Sequence, residues 1–476
     1  MLGSEAGNML GRIITMVHYN TCDTEDIKEF QPPRLSSGSS APEETMVTGS
    51  AFRINKTTGT FLLFFVVAVS NSVAGTQIVV TPENWLDELA TARLPSGTLI
   101  PGHEFQLVPG DYHLTPQAYQ DSTCGNCEDP LTEVMATVGL ILSGRHLVIR
   151  GMGATADDVV IHTRAGYGLL FTNCRDCRIS GLTITDGFRD ADPNATDAAI
   201  VVRNSEVCLE NCVIRDNLGD STAVARTVVG IMGIVGREGA DLIIQNNHLL
   251  RNSWDGIALY RGAQALIVDN IIDGVDLATG GRHGGGRGVG IGVTWDAKAT
   301  VRGNRVTRYW KGIGIFVDAE ATVQDNVIED IATWGIAYWG AGRGRPVAHI
   351  SSNVIFDTGA CGIAITRELG GLPEPGYCRE NIIVRTGQNP KYDSADTYCE
   401  QCPLAIQARP ASFVVADNLL YQNRRGRGVA GSADLGETDF RVRAQPLLAR
   451  LAAQPALRAS QCFQAIAALC DTVEPK

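Results

Sequence analysis

An asparagine recurs through the second half of the chain in nearly the same sequence setting each time. An apolar residue follows it two positions later, and an apolar residue or a cysteine precedes it by three positions. Successive copies are 36, 23, 34, 22, 27, 28 and 37 residues apart. Short β-type segments repeated in this way, without a helical pattern, indicate a solenoid in which each unit buries its apolar face against its neighbours. The copies are Asn211, Asn247, Asn270, Asn304, Asn326, Asn353, Asn381 and Asn418.

Each of these asparagines falls between two short apolar segments, where the chain must turn sharply. Asparagine tolerates the left-handed backbone conformation that such a turn requires. If the units stack, equivalent side-chain amides can hydrogen-bond to one another as a ladder. A residue that is present in every unit cannot mark one site, so we expect these asparagines to be structural.

Two units show the repeat most clearly, one running from Trp254 to Asn270 and the other from Lys311 to Asn326. In these units the chain resembles the right-handed parallel β-helix proteins of the pectin-lyase-like superfamily, and the resemblance covers roughly residues 76–440. It implies an all-β fold, a right-handed parallel β-helix with three-strand coils, in roughly 10–13 coils. It implies no single activity, because the fold hosts lyases, hydrolases, epimerases, phage tailspikes and non-catalytic proteins.

The N-terminal segments differ in composition from the repeats. Residues 1–45 lack apolar periodicity and are interpreted as a disordered or mis-called extension, with Met46 as the true start. Residues 46–74 combine a short basic region, an apolar core at 61–69 and small residues before the end, a pattern typical of a secretory signal peptide. An uncleaved anchor is the alternative, although the apolar core is short for a bilayer span.

Two further segments are interpreted as caps of the solenoid, because the first and last units of a solenoid need a covering element. Residues 81–89 begin with Thr81 and Pro82, carry early carboxylates and predict a short helix before the first coil. Residues 76–440 would form the β-helix domain. The Ala- and Leu-rich residues 441–476 would form the C-terminal cap.

The charge balance constrains the class of partner. The chain has 40 basic and 52 acidic residues, a net charge of −12 and a pI near 5.2. A nucleic-acid-binding protein normally shows a basic surface, so nucleic acid is not expected as a partner. The acidic positions just before the asparagines are interpreted as solvated turn residues, with calcium as the alternative; no metal ligands are assigned, and no cofactor is certain. That row is Glu210, Asp269, Asp325, Glu380 and Asp417.

Twelve of the 13 cysteines follow the predicted signal peptide. Several form close pairs in sequence, such as Cys124 with Cys127 and Cys174 with Cys177. Repeated C-x-x-C motifs can bind zinc, but disulfides are the expected fate of cysteines after export. The sequence does not determine which cysteines pair.

Strand alternation predicts one aromatic face. In the coil at 256–273, Ile257 and Leu259 would point inward, and Ala258 and Tyr260 outward. The same register applied to neighbouring coils puts Arg237, Thr294, Phe316 and Trp339 at the position of Tyr260, and Trp295 lies next to Thr294. This predicts a floor of outward aromatic side chains, with an arginine on the preceding coil. The floor is Tyr260, Trp295, Phe316 and Trp339, and the arginine is Arg237. The alternative is that these aromatics simply favour β-strands.

Insertions flank that face and carry basic residues. Residues 279–311 contain seven Lys or Arg side chains and one acid, Asp296. Loops on a rigid scaffold commonly carry function, and arginine pairs with the carboxylates of an acidic sugar. We therefore predict a binding site for an anionic polysaccharide. Its substrate-binding residues would be Tyr260, Trp295, Phe316, Trp339, Arg237, Arg343 and Arg345.

β-Elimination of a uronate polysaccharide needs a group that neutralises the carboxylate, a base and a proton donor. The candidate catalytic residues are His283, Arg282, Arg287, Arg261 and Lys311. The alternative for the Arg282–Arg287 stretch is a flexible solvated loop. Hydrolysis would instead need a carboxylate pair, for which the candidates are Asp255, Asp296, Asp318 and Glu238.

Two functions stay open at this point. The first is a secreted, periplasmic or cell-surface protein that binds or cleaves an acidic polysaccharide, with a polysaccharide lyase as the favoured enzyme class over a hydrolase or epimerase. The second is a non-catalytic envelope, adhesive or periplasmic accessory β-helix protein. No stable membrane span is expected in either, and the oligomeric state does not follow from the sequence.

Overall fold

The computed structural model describes residues 76–220, 229–274, 288–341, 344–366, 375–389, 401–408, 411–424 and 434–471. The predicted extension and signal peptide lie outside these residues. The described strands form three sheets of twelve, eleven and eleven strands, which we call sheets 1, 2 and 3. The chain visits the sheets in turn, so that each coil contributes one strand to each of them. The fold is the predicted parallel β-helix, and the strand counts agree with the predicted number of coils.

Neighbouring strands in each sheet come from successive coils and pair in parallel, except for β4, which pairs antiparallel with β5. Sheet 1 contains β1 Gln77–Val80, β2 Glu104–Leu107, β6 Val148–Gly151, β9 Cys177–Ser180, β12 Glu206–Glu210, β15 Asp241–Gln245, β18 Gln264–Val268, β21 Lys298–Arg302, β24 Glu320–Gln324, β27 Val347–Ser351, β30 Gly376–Arg379 and β33 Phe413–Ala416. Sheet 2 contains β3 Gly110–His113, β7 Val159–His162, β10 Thr183–Thr185, β13 Val213–Arg215, β16 His248–Leu250, β19 Ile271–Asp273, β22 Arg305–Thr307, β25 Val327–Ile331, β28 Val354–Thr358, β31 Ile382–Val384 and β34 Leu419–Tyr421. Sheet 3 contains β4 Gln117–Asp121, β5 Val134–Leu142, β8 Tyr167–Thr172, β11 Ala198–Arg203, β14 Met232–Arg237, β17 Ile257–Leu259, β20 Val289–Val293, β23 Lys311–Phe316, β26 Trp334–Trp339, β29 Cys361–Thr366 and β32 Cys402–Ala408.

The asparagine ladder is present inside the coils. From Asn247 to Asn418, each side-chain amide donates to the side-chain oxygen of the next asparagine at 2.8–3.1 Å. The same oxygen accepts the backbone N–H of the preceding coil's asparagine, as in the 2.9 Å bond from Asn304 to Asn326. Asn270, Asn304 and Asn326 are 0% exposed. The expected structural role of the asparagines is therefore confirmed.

Two details of that prediction are wrong. Cys212, and not Asn211, occupies the ladder position of its coil, because its backbone N–H donates to Asn247 Oδ1. The residue in the left-handed conformation is the one before each ladder asparagine, for example Asp269 with φ 57° and Asp325 with φ 60°. Two consecutive residues thus share the turn: the first adopts the positive φ, and the second places its side chain inside the coil.

The N-terminal helix, α1 (Trp85–Thr91), is confirmed. Trp85 and Leu89 are both 3% exposed, and the Trp85 ring meets the Tyr112 ring edge-on at 5.4 Å. The helix begins after a turn that the Asn84 side chain closes by accepting the Thr81 backbone N–H at 2.7 Å. Its apolar face therefore covers the core of the first coils.

Three C-terminal helices follow the last coil: α2 (Glu437–Leu451), α3 (Pro455–Arg458) and α4 (Gln461–Asp471). Phe440, Ala444 and Leu448 of α2 are buried against Val354 and other outward residues of sheet 2. The helices therefore cover the side of the later coils on sheet 2. Among the described residues, no helix is long and apolar enough to cross a membrane.

Candidate functional site

The outer face of sheet 3 carries three columns of side chains that run from coil to coil. The central column changes character along the molecule: the earlier coils have Leu170, Val201 and Val235, and the later coils have only glycine or alanine. These small residues form the floor of a trough between the two outer columns, and we call them the small-residue floor. The floor is Ala258, Gly292, Gly314, Ala337, Ala364 and Ala405.

The predicted aromatic floor has the expected register but not the expected exposure. Phe316 pairs with Trp339 on the next coil. Phe316 is only 3% exposed and Tyr260 only 4%. The Phe316 ring folds over Gly314, where an added Cβ would lie 2.1 Å from the ring. The prediction that these two rings are open to solvent is wrong, because Phe316 lies over Gly314 and Tyr260 lies against Gly125.

The later rings form a cluster with one another. The Trp339 ring meets the rings of Phe316 and Trp334 edge-on, at 6.2 Å from each. Trp339 is half-buried and Trp334 is 2% exposed. Edge-to-face contacts of this kind stabilise a rigid aromatic wall beside the trough.

The earlier part of the face is covered by residues 117–134, which we call the covering segment. It begins with β4, continues through a disulfide between Cys124 and Cys127, and returns to β5. The Asn126 side chain accepts a hydrogen bond from Trp295 Nε1 at 3.0 Å, and the Cys127 carbonyl accepts one from Arg261. Trp295 and Arg261 therefore hold the covering segment. The sequence predicted Trp295 as a substrate-binding residue and Arg261 as a catalytic residue. In the structure both side chains contact the covering segment instead.

A buried ion cluster anchors the covering segment. Asp121, which is 0% exposed, accepts hydrogen bonds from Arg237 and, at 2.7 Å, from Arg203. Burial would raise the pKa of Asp121, but the two guanidinium groups outweigh this effect and hold that pKa below its usual value. Arg237 is itself 0% exposed, so its predicted role as an accessible substrate-binding residue is wrong.

A second buried pair lies at the later part of the face. Asp255 is 7% exposed and Lys311 is 6% exposed. Val289 lies on the coil between them. Its backbone N–H donates to Asp255 on the preceding coil at 2.6 Å, and it is the strand partner of Lys311 on the following coil. Nearby Gly288 has no space for a side chain, since a Cβ there would lie 2.3 Å from the Asp255 carboxylate.

Burial favours the uncharged form of both side chains in this pair. Burial lowers the pKa of Lys311 to about 7, and the Asp255 carboxylate opposes that shift. Burial also raises the pKa of Asp255 to about 7, against the opposing effects of the Val289 N–H and of Lys311. The Lys311 ammonium lies 5.5 Å from the Trp310 ring and 5.3 Å from the Trp334 ring. An amine and a carboxyl that both titrate near neutral pH can exchange protons with a substrate.

The other predicted residues are distributed as follows. Arg282, His283, Arg287 and Arg343 lie outside the described residues. The chain returns to the described part at Gly288, beside Asp255. Arg345 is exposed, and its backbone N–H donates to Asp318 Oδ1 at 3.0 Å.

The carboxylates considered for hydrolysis have structural contacts. Asp296 accepts the Gly262 backbone N–H at 2.9 Å, and Glu238 lies 3.3 Å from Arg237. Asp255 is the exception, because it is linked electrostatically to Lys311. The sequence had placed Asp255 near this face without its partner. The sequence did contain a signal for this pair. Asp255 lies two residues before Ile257, the first inward residue of β17, and Lys311 lies two residues before Ile313, the equivalent residue of β23.

The comparisons with known proteins agree with this architecture. A family model described as a right-handed β-helix region matches residues 145–284. The match covers less than a third of the chain, and the three parallel sheets extend the same architecture over the other described coils. The chain folds as a right-handed parallel β-helix.

Sequence similarity to individual known proteins is low. The human SHC SH2 domain-binding protein 1 is 26% identical over 158 residues, which cover 30% of this chain and 20% of that protein. The chain thus spans about a fifth of that relative. Among solved structures, it is similar to an alginate lyase from Paenibacillus sp. strain FPU-7 (15% identity, TM-score 0.42, covering 72% of this chain and 98% of the other). It is also similar to PfbA, a surface adhesin of Streptococcus pneumoniae (11% identity, TM-score 0.40, covering 68% and 70%). These likenesses concern the fold alone.

Within the described ranges, no group of three or more His, Cys, Asp or Glu side chains is arranged to hold a metal ion. The acidic residues before the ladder asparagines, such as Glu380 and Asp417, have positive φ and occupy the turns.

Proposed function

We propose that this protein binds an anionic polysaccharide along the later part of the sheet 3 trough and cleaves it by β-elimination. The observation that carries the proposal is the Asp255–Lys311 pair, in which both groups have a pKa of about 7 beside a wall of tryptophans. A buried ionisable pair of this kind is typical of catalytic sites, although structural ion pairs show similar shifts. The proposal includes export, which the predicted signal peptide at 46–74 supports.

In the proposed reaction, neutral Lys311 removes the proton at C5 of a uronate residue. The electron pair of that C–H bond forms the C4–C5 double bond, and the bond from C4 to the leaving oxygen breaks. Protonated Asp255 returns a proton to the leaving oxygen. Exposed Arg345, and the arginines predicted from sequence at 282 and 287, would neutralise the uronate carboxylates. Because Lys311 is 6% exposed, the Trp310 or Trp334 side chain must move for the substrate to reach it.

The test is a screen of pectate, alginate and chondroitin that follows the ultraviolet absorbance of the unsaturated product. We expect Lys311→Met to remove the activity, because methionine fills similar space but cannot accept a proton. The matched control is Arg308→Met, which removes an exposed basic residue of the same coil on sheet 2. Circular dichroism would establish that both variants are folded. Unchanged turnover in Lys311→Met would contradict the mechanism.

The pH dependence gives a second readout. We expect kcat/KM to rise as Lys311 loses its proton and to fall as Asp255 loses its own, which gives a narrow bell-shaped profile near pH 7. The Asp255 carboxylate raises the pKa of Lys311, so Asp255→Asn should shift this rise to lower pH while reducing the rate. A rise that stays at the same pH in the variant would show that Lys311 is not the titrating base.

A non-catalytic polysaccharide-binding protein is the second candidate. It is favoured by the low exposure of Lys311, Phe316 and Tyr260, which describes a closed face. Retardation in affinity gels containing each polysaccharide, without any unsaturated product, would support this candidate. Trp339→Ala should then weaken binding by about 1–3 kcal/mol, the range known for stacking on an aromatic platform.

A further inference from the structure

The outer face of sheet 1 has an exposed apolar centre that the proposed function does not use. Ile243 of β15 and Leu266 of β18 are neighbours in register and are 41% and 40% exposed. On the same two strands, Leu242 and Ile267 point into the core and are buried. Adjacent exposed aliphatic side chains on an ordered surface are a common feature of protein–protein interfaces.

Charged residues flank this centre in an asymmetric arrangement. Outward positions of β12, the strand on one side, carry Glu206 and Glu210. Outward positions of β21, the strand on the other side, carry Lys298 and Arg302. The order along the solenoid is therefore an acidic strand, two strands with an apolar residue at their centre, and a basic strand; β15 also carries the exposed Asp241, which pairs in register with Gln264.

We propose that this face binds a second copy of the chain through a two-fold axis parallel to the strands, between β15 and β18. This operation places each strand opposite its counterpart across the axis and reverses the direction of the partner solenoid. Ile243 of each copy meets Leu266 of the other. The acidic β12 of each copy meets the basic β21 of the other, so Glu206 faces Lys298 and Glu210 faces Arg302.

The alternative two-fold axis, along the solenoid, gives the opposite electrostatic result. It would place each strand opposite the same strand of the partner copy, running in the reverse direction. Lys298 would then face Arg302, and Glu206 would face Glu210. Like charges in direct opposition are unfavourable. The charge arrangement therefore selects the antiparallel dimer.

The existing contacts of these residues are compatible with pairing. Lys298 lies 2.8 Å from Glu320, and both side chains are exposed to solvent, so the ammonium can donate a further hydrogen bond to a second carboxylate. Glu210 already accepts hydrogen bonds from Arg178 at 2.5 Å and Gln245 at 2.8 Å. We therefore expect Glu206 of one copy and Lys298 of the other to form the main new ion pair of the dimer.

The available area is close to that of a stable dimer. Eight strands, β6 to β27, are centred on the proposed axis. With strands about 4.8 Å apart and five residues of about 3.4 Å each, the footprint is roughly 650 Å² per copy. A standard interface buries about 800 Å² per partner. The outer face of sheet 3 takes no part in this contact, so the inference does not depend on the proposed function.

The test is a charge exchange followed by sedimentation velocity and light scattering. We expect the native chain to have twice the chain mass. Two double variants, Glu206→Lys/Glu210→Lys and Lys298→Glu/Arg302→Glu, should each be monomeric because their facing charges become alike. Mixed together, they should form a heterodimer, since every facing pair is again opposite in sign. The quadruple variant should recover the homodimer.

Three outcomes would overturn the proposal. The native chain could be monomeric at all accessible concentrations. The double variants could stay dimeric, which would place the interface elsewhere. Or the native chain could be monomeric while Ile243→Lys weakens retention by a polysaccharide, which would make sheet 1 a ligand face.

Discussion

At the scale of single residues, the ladder asparagines satisfy polar groups that no other arrangement of the buried turn would satisfy. Asn304 donates to the Ile267 carbonyl at 2.9 Å and to Asn326 Oδ1 at 3.0 Å, and accepts from Asn270 at 2.9 Å. Each bond links one coil to the next. A buried backbone group that loses its partner costs about 1–3 kcal/mol.

Asn304→Ala should therefore lower the free energy of unfolding by about 2–4 kcal/mol, since it leaves several buried groups without partners. The matched control is Asn211→Gly, which retains the left-handed conformation of an exposed turn residue outside the ladder. It should change the free energy by less than about 0.5 kcal/mol. Urea unfolding followed by circular dichroism measures both. Equal losses would mean that the turns, and not the ladder, determine the effect.

At the scale of elements, the covering segment decides which part of the sheet 3 face is open. It is held by the buried Asp121–Arg237 pair, whose partners are 116 residues apart in sequence. Both side chains are 0% exposed. Removing one partner of such a pair leaves an uncompensated buried charge, whereas removing both does not.

Asp121→Asn should destabilise the covering segment by about 3–5 kcal/mol, the range for breaking a buried ion pair. The double variant Asp121→Asn/Arg237→Met should lose less, because the fully buried guanidinium is removed together with its partner, and Arg203, which also binds Asp121, still pairs with Glu238. Limited proteolysis within residues 117–134, together with urea unfolding, would measure the difference. A double variant that is weaker than the single one would show that packing, and not charge, anchors the segment.

At the scale of the whole solenoid, each coil contacts mainly its neighbours, so a local change should have local effects. Phe440 of α2 is 0% exposed and stacks on Tyr421 of the last coil, with ring centroids 4.5 Å apart. This contact joins the C-terminal helices to sheet 2 and does not involve the earlier coils.

Phe440→Ala should destabilise the C-terminal coils by about 3–5 kcal/mol, the usual cost of removing a buried phenylalanine. Hydrogen exchange should become faster in β31, β34 and α2 and stay unchanged in β8 and β11. Val442→Ala is the matched control on the same helix, since Val442 is 55% exposed. A uniform loss of protection along the chain would contradict nearest-neighbour behaviour.

The periodic features followed from the sequence because they depend on local contacts. Strand alternation placed Ile257 and Leu259 inward and predicted the register of Phe316 with Trp339, as the structure shows. The asparagine ladder followed from the same repetition. One of its two errors, Asn211 in place of Cys212, arose because two consecutive turn positions can both carry asparagine.

Only the tertiary structure decided which outward residues are accessible. Residues 117–134 carry no repeat, and their docking on Arg237, Arg261 and Trp295 joins positions more than a hundred residues apart. The Lys311–Asp255 pair likewise depends on stacking of coils separated by a long insertion. Sequence periodicity determines which way a side chain points, because that is set by the backbone. Burial and pKa depend on what packs over the side chain, and that is set by distant segments.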